Sequence, residues 1–311
     1  MAKSAAVSTD LAGMPQVADV RHRFVTVRGI RIHIAVAGDD SAPTVVLLHG
    51  FPQHWYAWRG LLPMLSQSFH VVAVDLPGFG WSDPSAHGYS TTERARDVIA
   101  LLDELGLPDA DIVGHDWGAR LGFRIALDAP KRVRHLVSVS DSHPWPLQSK
   151  LLPNLWRMWV TALFEVPGLG AFVQKRRRII RWYLSRDASD TSVWSDELVD
   201  VYAKPTARSS IARAGQRLHG AFVLRDILRL VLRRDRKRSF ETPTLLIGAD
   251  RDAYIPAAVM AVPARRARML TVEIVPGGHF ILDENPREVG AAVIAHLTGG
   301  MPRSPSTVSI R

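Results

Sequence analysis

Residues 112–118 read Ile-Val-Gly-His-Asp-Trp-Gly, and that heptad leaves few folds open. A short apolar run ends, two glycines bracket Asp116, and a helical pattern begins at Trp117. A chain passes from strand to helix in so few residues only through a strained turn, which the glycines make sterically feasible. The side chain at the tip of such a turn is held clear of the backbone. Most such turns carry Ser or Cys; here the tip is a carboxylate. Attack by a carboxylate on an ordinary ester would give an anhydride. Attack on a saturated carbon with a leaving group gives an alkyl ester of the protein. The chemistry therefore narrows to opening strained or activated C–O or C–halogen bonds. A plainer alternative is that Asp116 only caps the following helix, but both glycines are correctly spaced for a reactive turn.

The rest of the chain alternates strand-like and helix-like segments. Arg23–Gly29 and Ile30–Gly38 read as a hairpin about Arg28-Gly29, and Thr44–Leu48, Val71–Leu76, Asp111–Val113, Val133–Val139, Thr244–Ile247 and Leu270–Val275 as buried strands. Trp55–Ser66, Thr91–Leu107, Trp117–Leu127 and Pro286–Leu297 read as helices, with Ser90 and Glu93 forming a capping box for the second. Such alternation predicts an α/β fold, a largely parallel sheet with helices on both faces. Residues 143–240 break the pattern. They hold Arg-rich and aromatic helical segments without a convincing strand, and predict a helical lid inserted between two parts of the core, 21–142 and 241–300. Residues 1–20 and 301–311 read as flexible tails, the first without the pattern of a signal peptide.

Composition excludes several classes of protein. The chain has no Cys, so disulfides and thiol nucleophiles are ruled out. No apolar run approaches the length needed to span a bilayer, and a cytoplasmic protein is expected. The formal charge of +9 gathers in Lys175-Arg176-Arg177-Arg178, Arg181, Arg233-Arg234, Arg236-Lys237-Arg238 and Arg265-Arg266. With no nucleic-acid motif nearby, solvated helix faces are favoured over a docking patch for anionic partners. No dinucleotide or phosphate-loop fingerprint is present, and His22, His33, His54 and His70 are scattered, so neither cofactor nor metal is expected. The oligomeric state is left open, a homodimer included.

Two more loops follow predicted strands in the order nucleophile, acid, base. Gly248-Ala249-Asp250-Arg251-Asp252 supplies a carboxylate to orient an imidazole, with Asp252 preferred and Asp250 and Asp141 as alternatives. Gly277-Gly278-His279-Phe280 supplies the imidazole, a general base toward the water that cleaves an ester on Asp116. Earlier, His49-Gly50-Phe51-Pro52 ends a strand; the N–H groups of Phe51 and Trp117 would hold the oxyanion. His49, Pro52, His115 and Trp145 are expected around the pocket.

Together these residues resemble the α/β-hydrolase superfamily, and within it the bacterial epoxide hydrolases, over about residues 20–300. The resemblance rests on the His-Gly-x-Pro segment, the Asp-Trp pair in the 114–118 turn and His143-Pro144-Trp145-Pro146 at the lid entrance. It implies an eight-stranded sheet, a covalent alkyl-aspartyl intermediate and a small apolar epoxide as substrate. Haloalkane dehalogenases share the Asp-Trp pair, but many place Asn where this chain has Phe51. Fluoroacetate dehalogenases usually follow the Asp with Arg, where this chain has Trp117. Epoxide hydrolases also use two lid tyrosines on the ring oxygen, and their positions fall here near Val160 or Thr161 and near His219. His219 and Tyr183 are therefore the candidate ring-opening acids, while Tyr202 reads as a packing or surface residue. The lid aromatics Trp145, Trp156, Trp159, Phe164, Phe172, Trp182 and Phe222 are expected mostly in the lid core, some roofing the site. A dehalogenase and a non-catalytic binding protein are the rival readings.

Overall fold

A computed structural model describes residues 13–262 and 268–299. Residues 1–12, the Arg265-Arg266 pair and the 301–311 tail lie outside the described residues. The rest of the expected N-terminal tail is not frayed. Met14 is buried and Val17 and Val20 pack against the same core, because their three-residue spacing turns all three toward the sheet.

Eight strands form one sheet in the order β1-β2-β4-β3-β5-β6-β7-β8. β1 (Arg21–Val27) and β2 (Ile30–Ala37) are the opening hairpin, turned by positive φ at Arg28 and Gly29 as a tight two-residue loop requires. β2 runs antiparallel to β4 (His70–Val74). From β4 onward the neighbours are parallel: β3 (Thr44–Leu48), β5 (Ala110–His115), β6 (Val133–Val139), β7 (Thr244–Ala249) and β8 (Leu270–Val275). Central strands rich in Val, Leu and Ile fit a sheet covered on both faces. Val46, Leu48, Ile112, Leu136 and Leu246 enter one core, whereas Val45, Leu47, Val113, Val137 and Leu245 enter the other.

Helix α1 (Thr91–Glu104) starts where Ser90 Oγ accepts the Glu93 N–H at 3.3 Å. The expected capping box is only half made, because the Glu93 carboxylate is drawn to Arg28 and Arg96. Helix α2 (Trp117–Asp128) follows the Asp116 turn. The single helix expected over Trp55–Ser66 is instead a 3₁₀ turn, Trp55–Trp58, and a short helical turn, Leu62–Leu65. Pro63 cannot donate to the preceding turn, so it opens a new helical turn and does not extend the old one.

Between β6 and β7 the described residues hold helices and turns but no strand. The main helices are α3 (Trp159–Glu165), α4 (Leu169–Gln174), α5 (Arg177–Ser185), α6 (Asp196–Ala207) and α7 (Ser209–Ala221). This lid sits over the carboxyl ends of the strands, since Thr161, Tyr183 and Phe222 share a cavity with Asp116 and His279. Its aromatics depart from expectation. Trp145, Phe164 and Phe222 are buried, but Trp156, Trp159, Phe172 and Trp182 are exposed. Arg157, Arg176 and Arg186 lie over the rings of Trp156, Phe172 and Trp182, so cationic side chains cover what a core otherwise would. Several of the basic runs are paired: Arg177 and Arg181 with Asp196, Arg177 also with Asp200, and Arg238 with Asp128. Helix α8 (Pro286–Leu297) closes the core. No described helix is long and apolar enough to cross a membrane.

Candidate active site

Asp116 stands at φ 50° and ψ −117°, a backbone conformation that side-chain-bearing residues adopt only under strain, at about 1–3 kcal/mol. The turn closes because residue 118 is glycine: a Cβ there would fall on the Leu48 carbonyl at the end of β3. Helix α2 begins on the backbone of Asp116, whose carbonyl accepts the N–H groups of Ala119 and Arg120 at 3.0 and 3.2 Å. Its side chain makes no capping hydrogen bond, which disposes of the capping alternative. Instead Oδ2 accepts the Phe51 N–H at 3.0 Å, and Oδ1 lies 3.8 Å from His279 Nε2. The Trp117 N–H, first in its helix, has no intrahelical acceptor.

Three carboxylates compete as partner of His279, and geometry separates them. Asp252 Oδ2 lies 2.8 Å from His279 Nδ1. Its Oδ1 accepts the N–H groups of Tyr254 and Ile255, both at 2.7 Å, which fixes the loop that presents it. Asp250 accepts the Gly277 N–H at 2.9 Å and so braces the neighbouring loop. Asp141 is bound by Arg120 at 2.7 Å. Its carboxyl is raised to about 6 by burial, with the Asp116 charge adding to the rise and Arg120 opposing it.

Electrostatics bind the central pair. Burial pushes the Asp116 carboxyl up, but His279, His115 and the Phe51 N–H outweigh it and leave it below its ordinary value. Burial acts on the His279 imidazole in the opposite sense, toward the neutral form. The charges of Asp252 and Asp116 overcome this and raise it well above its ordinary value. The two carboxylates thus favour the imidazolium form of His279, which lies between them.

The cavity in front of Asp116 has a volume of about 30 Å³, space for the centres of about two waters. It is lined by Asp116, Trp117, Arg120, Asp141, Thr161, Tyr183, Phe222, Tyr254, Ile255 and His279. Of the expected pocket residues, His49, Pro52, His115 and Trp145 are not among them. His49 is a buried brace that donates from Nδ1 to the Gly50 carbonyl at 2.7 Å and accepts the Leu76 N–H at 3.0 Å. Pro52 is buried beside it. His115 Nε2 donates to the His279 carbonyl at 2.9 Å, behind the site. Trp145 packs on Phe123 and Phe240, with its indole N–H on the Asp235 carbonyl at 2.7 Å.

The two candidate acids part company. His219 Nδ1 lies 2.7 Å from the Gly215 carbonyl, so that nitrogen carries the proton. Nε2 is then a bare acceptor, buried and without a partner. Burial lowers the imidazole to about 4, so it is neutral near pH 7 and has no second proton to give. The expectation of an imidazolium donor at His219 is corrected on both counts. Tyr183 lines the cavity, and burial, then Tyr254 and Asp116, raise its phenol well above the usual value. It is a neutral O–H donor. Tyr202 faces away; it is fully buried and donates to Asp283 at 3.0 Å. Its polar sequence context hid that contact.

Sequence reading missed Tyr254, whose ring stands edge-on to His279 with centroids 4.9 Å apart. Its place two residues after Asp252 was the available signal. Arg120, one turn after Asp116, was also missed. His22 and His33, two register steps apart on the paired strands β1 and β2, meet at 3.1 Å, and His33 Nδ1 lies 2.8 Å from the buried Asp75.

Comparison with known proteins agrees with this geometry. The α/β hydrolase fold family matches residues 43–286. Human epoxide hydrolase 4 is 36% identical over 296 residues, covering 89% of this chain and 78% of that protein. Epoxide hydrolase 3 of Xenopus tropicalis is 26% identical, covering 88% and 77%. The crystal structure of Cfl2 from Burkholderia cenocepacia superposes with a TM-score of 0.78 at 30% identity, covering 90% of this chain and 96% of that one. The match runs from the first parallel strand past His279, and the chain belongs to the α/β hydrolase fold family, as an enzyme that resembles the epoxide hydrolases.

Proposed function

We propose that the enzyme opens an epoxide to a vicinal diol through an ester on Asp116. The observation that carries the reading is the placement of an uncapped Asp116 carboxylate in a cavity that Tyr183 also lines, 3.8 Å from His279. Asp116 attacks a ring carbon, the C–O bond breaks, and Tyr183 gives its proton to the ring oxygen. The product of this step is a hydroxyalkyl ester and a tyrosinate. Because Asp116 has lost its charge, the His279 imidazolium loses one of its two supporting carboxylates and releases its proton, which restores Tyr183. Neutral His279, still held by Asp252, then takes a proton from water as the water attacks the ester carbonyl. The Phe51 and Trp117 N–H groups hold the resulting oxyanion. Collapse frees the diol and returns Asp116 to its carboxylate beside an imidazolium, so every proton is accounted for.

The test is to trap the ester. His279→Gln incubated with terminal epoxides should gain the mass of one substrate per chain, and the double variant with Asp116→Asn should gain none. Absence of any adduct across a panel of epoxides defeats the reading. A second reading, dehalogenation, draws on the buried Trp117 indole N–H, which has no partner and borders the cavity. Release of halide from alkyl halides at a rate above that of epoxide opening would favour it.

A further inference from the structure

His279 is gripped from both sides through its own backbone. Its carbonyl accepts from His115 Nε2 at 2.9 Å, which belongs to the core strand leading to Asp116. Its N–H donates to Asp187 Oδ2 at 3.0 Å. Asp187 belongs to the lid, two residues beyond the end of α5. The same oxygen accepts the Ala253 N–H at 2.9 Å, next in the chain to Asp252. One lid carboxylate therefore spans the backbone beside both members of the His279–Asp252 pair.

A second carboxylate reinforces the contact from the core side. Glu284 accepts the Gly278 N–H at 3.2 Å on each oxygen, and the Ser189 N–H and hydroxyl at 2.8 and 2.9 Å. The lid chain comes so close here that a Cβ on residue 278 would stand 2.7 Å from the Asp187 carbonyl, so the glycine before the base is a requirement of lid packing. Asp187 and Tyr183 lie four residues apart around the end of α5. The helix that carries Tyr183 leads, two residues past its end, into the residue that holds the base.

We propose that Asp187, backed by Glu284, is a positioning residue through which the lid sets the place of His279 for ester hydrolysis. The inference rests on the two-step reading above and concerns its second step. Asp116 is positioned by the core alone, through its own turn and the Phe51 N–H, so the first step has no need of the clasp. Nothing else from the lid holds the His279 main chain in the described hydrogen bonds.

The experiment is single-turnover kinetics that resolves formation and breakdown of the ester by rapid quenching and intact mass. Asp187→Ala should slow breakdown by about 10²-fold, the usual penalty for a misplaced reacting group, with formation unaffected within about threefold. Ester then accumulates, so kcat and KM fall together. Asp187→Asn should restore most of the lost rate, because its amide oxygen can still accept both N–H groups. Glu284→Ala should move breakdown in the same direction by a smaller factor, and it carries the test if Asp187→Ala does not fold. Equal slowing of both steps, unchanged breakdown, or failure of Asp187→Asn to recover would each overturn the proposal. A wild-type enzyme that forms no ester at all removes the two-step reading; normal ester chemistry with unaltered breakdown in Asp187→Ala removes only the clasp.

Discussion

At the scale of single residues, the proposed chemistry works by moving one charge. Two carboxylates face His279 and raise its pKa, and in the proposed reaction alkylation of Asp116 cancels one of them. Asp116→Asn imitates that state permanently. The variant should therefore lower the His279 pKa, read from imidazole ¹⁵N and ¹H shifts across a pH series; an unchanged value would contradict the switch. The sign for activity follows. Ester breakdown needs neutral imidazole, so it rises with pH through the His279 pKa of the alkylated enzyme and is lost below it. Asp116, His279 and Phe51 were legible in the sequence because each sits in a short local pattern dictated by its turn. Tyr254 and Asp187 were not, since their roles depend on partners such as His279 that lie 25 and 92 residues away. His219 misled for a different reason: its position suggested a donor, and only the i−4 carbonyl of Gly215 shows that its one proton is already committed.

At the scale of elements, the strands were the most legible. A run such as Thr44–Leu48 is bounded by turn residues and buried on both faces, which leaves little freedom in where it begins and ends. Helices were read less well. The Trp55–Ser66 segment looked continuous because its apolar residues recur around every side, yet Pro63 divides it. In the lid, exposed and buried aromatics carry the same letters, and stacked guanidinium groups rather than spacing decide which face water. At the junction of β3 with α2 there is no room for a Cβ on residue 118. Gly118→Ala must drive the two apart, and should cost about 1–3 kcal/mol, the range for overpacking a closed interior. Urea unfolding monitored by circular dichroism measures it, and a loss below about 0.5 kcal/mol, the level of an ordinary surface change, would show that the turn relaxes freely.

For the whole molecule, the question is what keeps lid and core together. One bond network is independent of the clasp: Asp283 accepts from Gln53 at 2.6 Å, from Arg59 at 2.5 Å and from the Tyr202 hydroxyl at 3.0 Å. Gln53 and Arg59 are core residues and Tyr202 is on α6, so a buried carboxylate bridges the two regions. Tyr202→Phe removes one hydrogen bond to a charged group and keeps the ring, and should lower stability by about 1.5–3 kcal/mol. Chemical unfolding tests this, with amide exchange in α6 expected to quicken before exchange in the sheet. The α/β alternation made the general architecture readable in advance, lid included, because an inserted helical stretch interrupts a strong repeating pattern. The bridges across it were unreadable, as Asp283 and Tyr202 each look like ordinary polar positions until the fold brings them together.

The smallness of the chamber has a bearing on what the enzyme must avoid. An alcohol attacking the ester carbonyl would liberate product yet leave a fresh ester behind, and each such exchange would idle the catalyst. In the proposed reaction, a space for about two solvent molecules beside Asp116 favours water over bulkier nucleophiles at the ester. Attack by water is the one outcome of that proposal that returns the aspartate bare after each round.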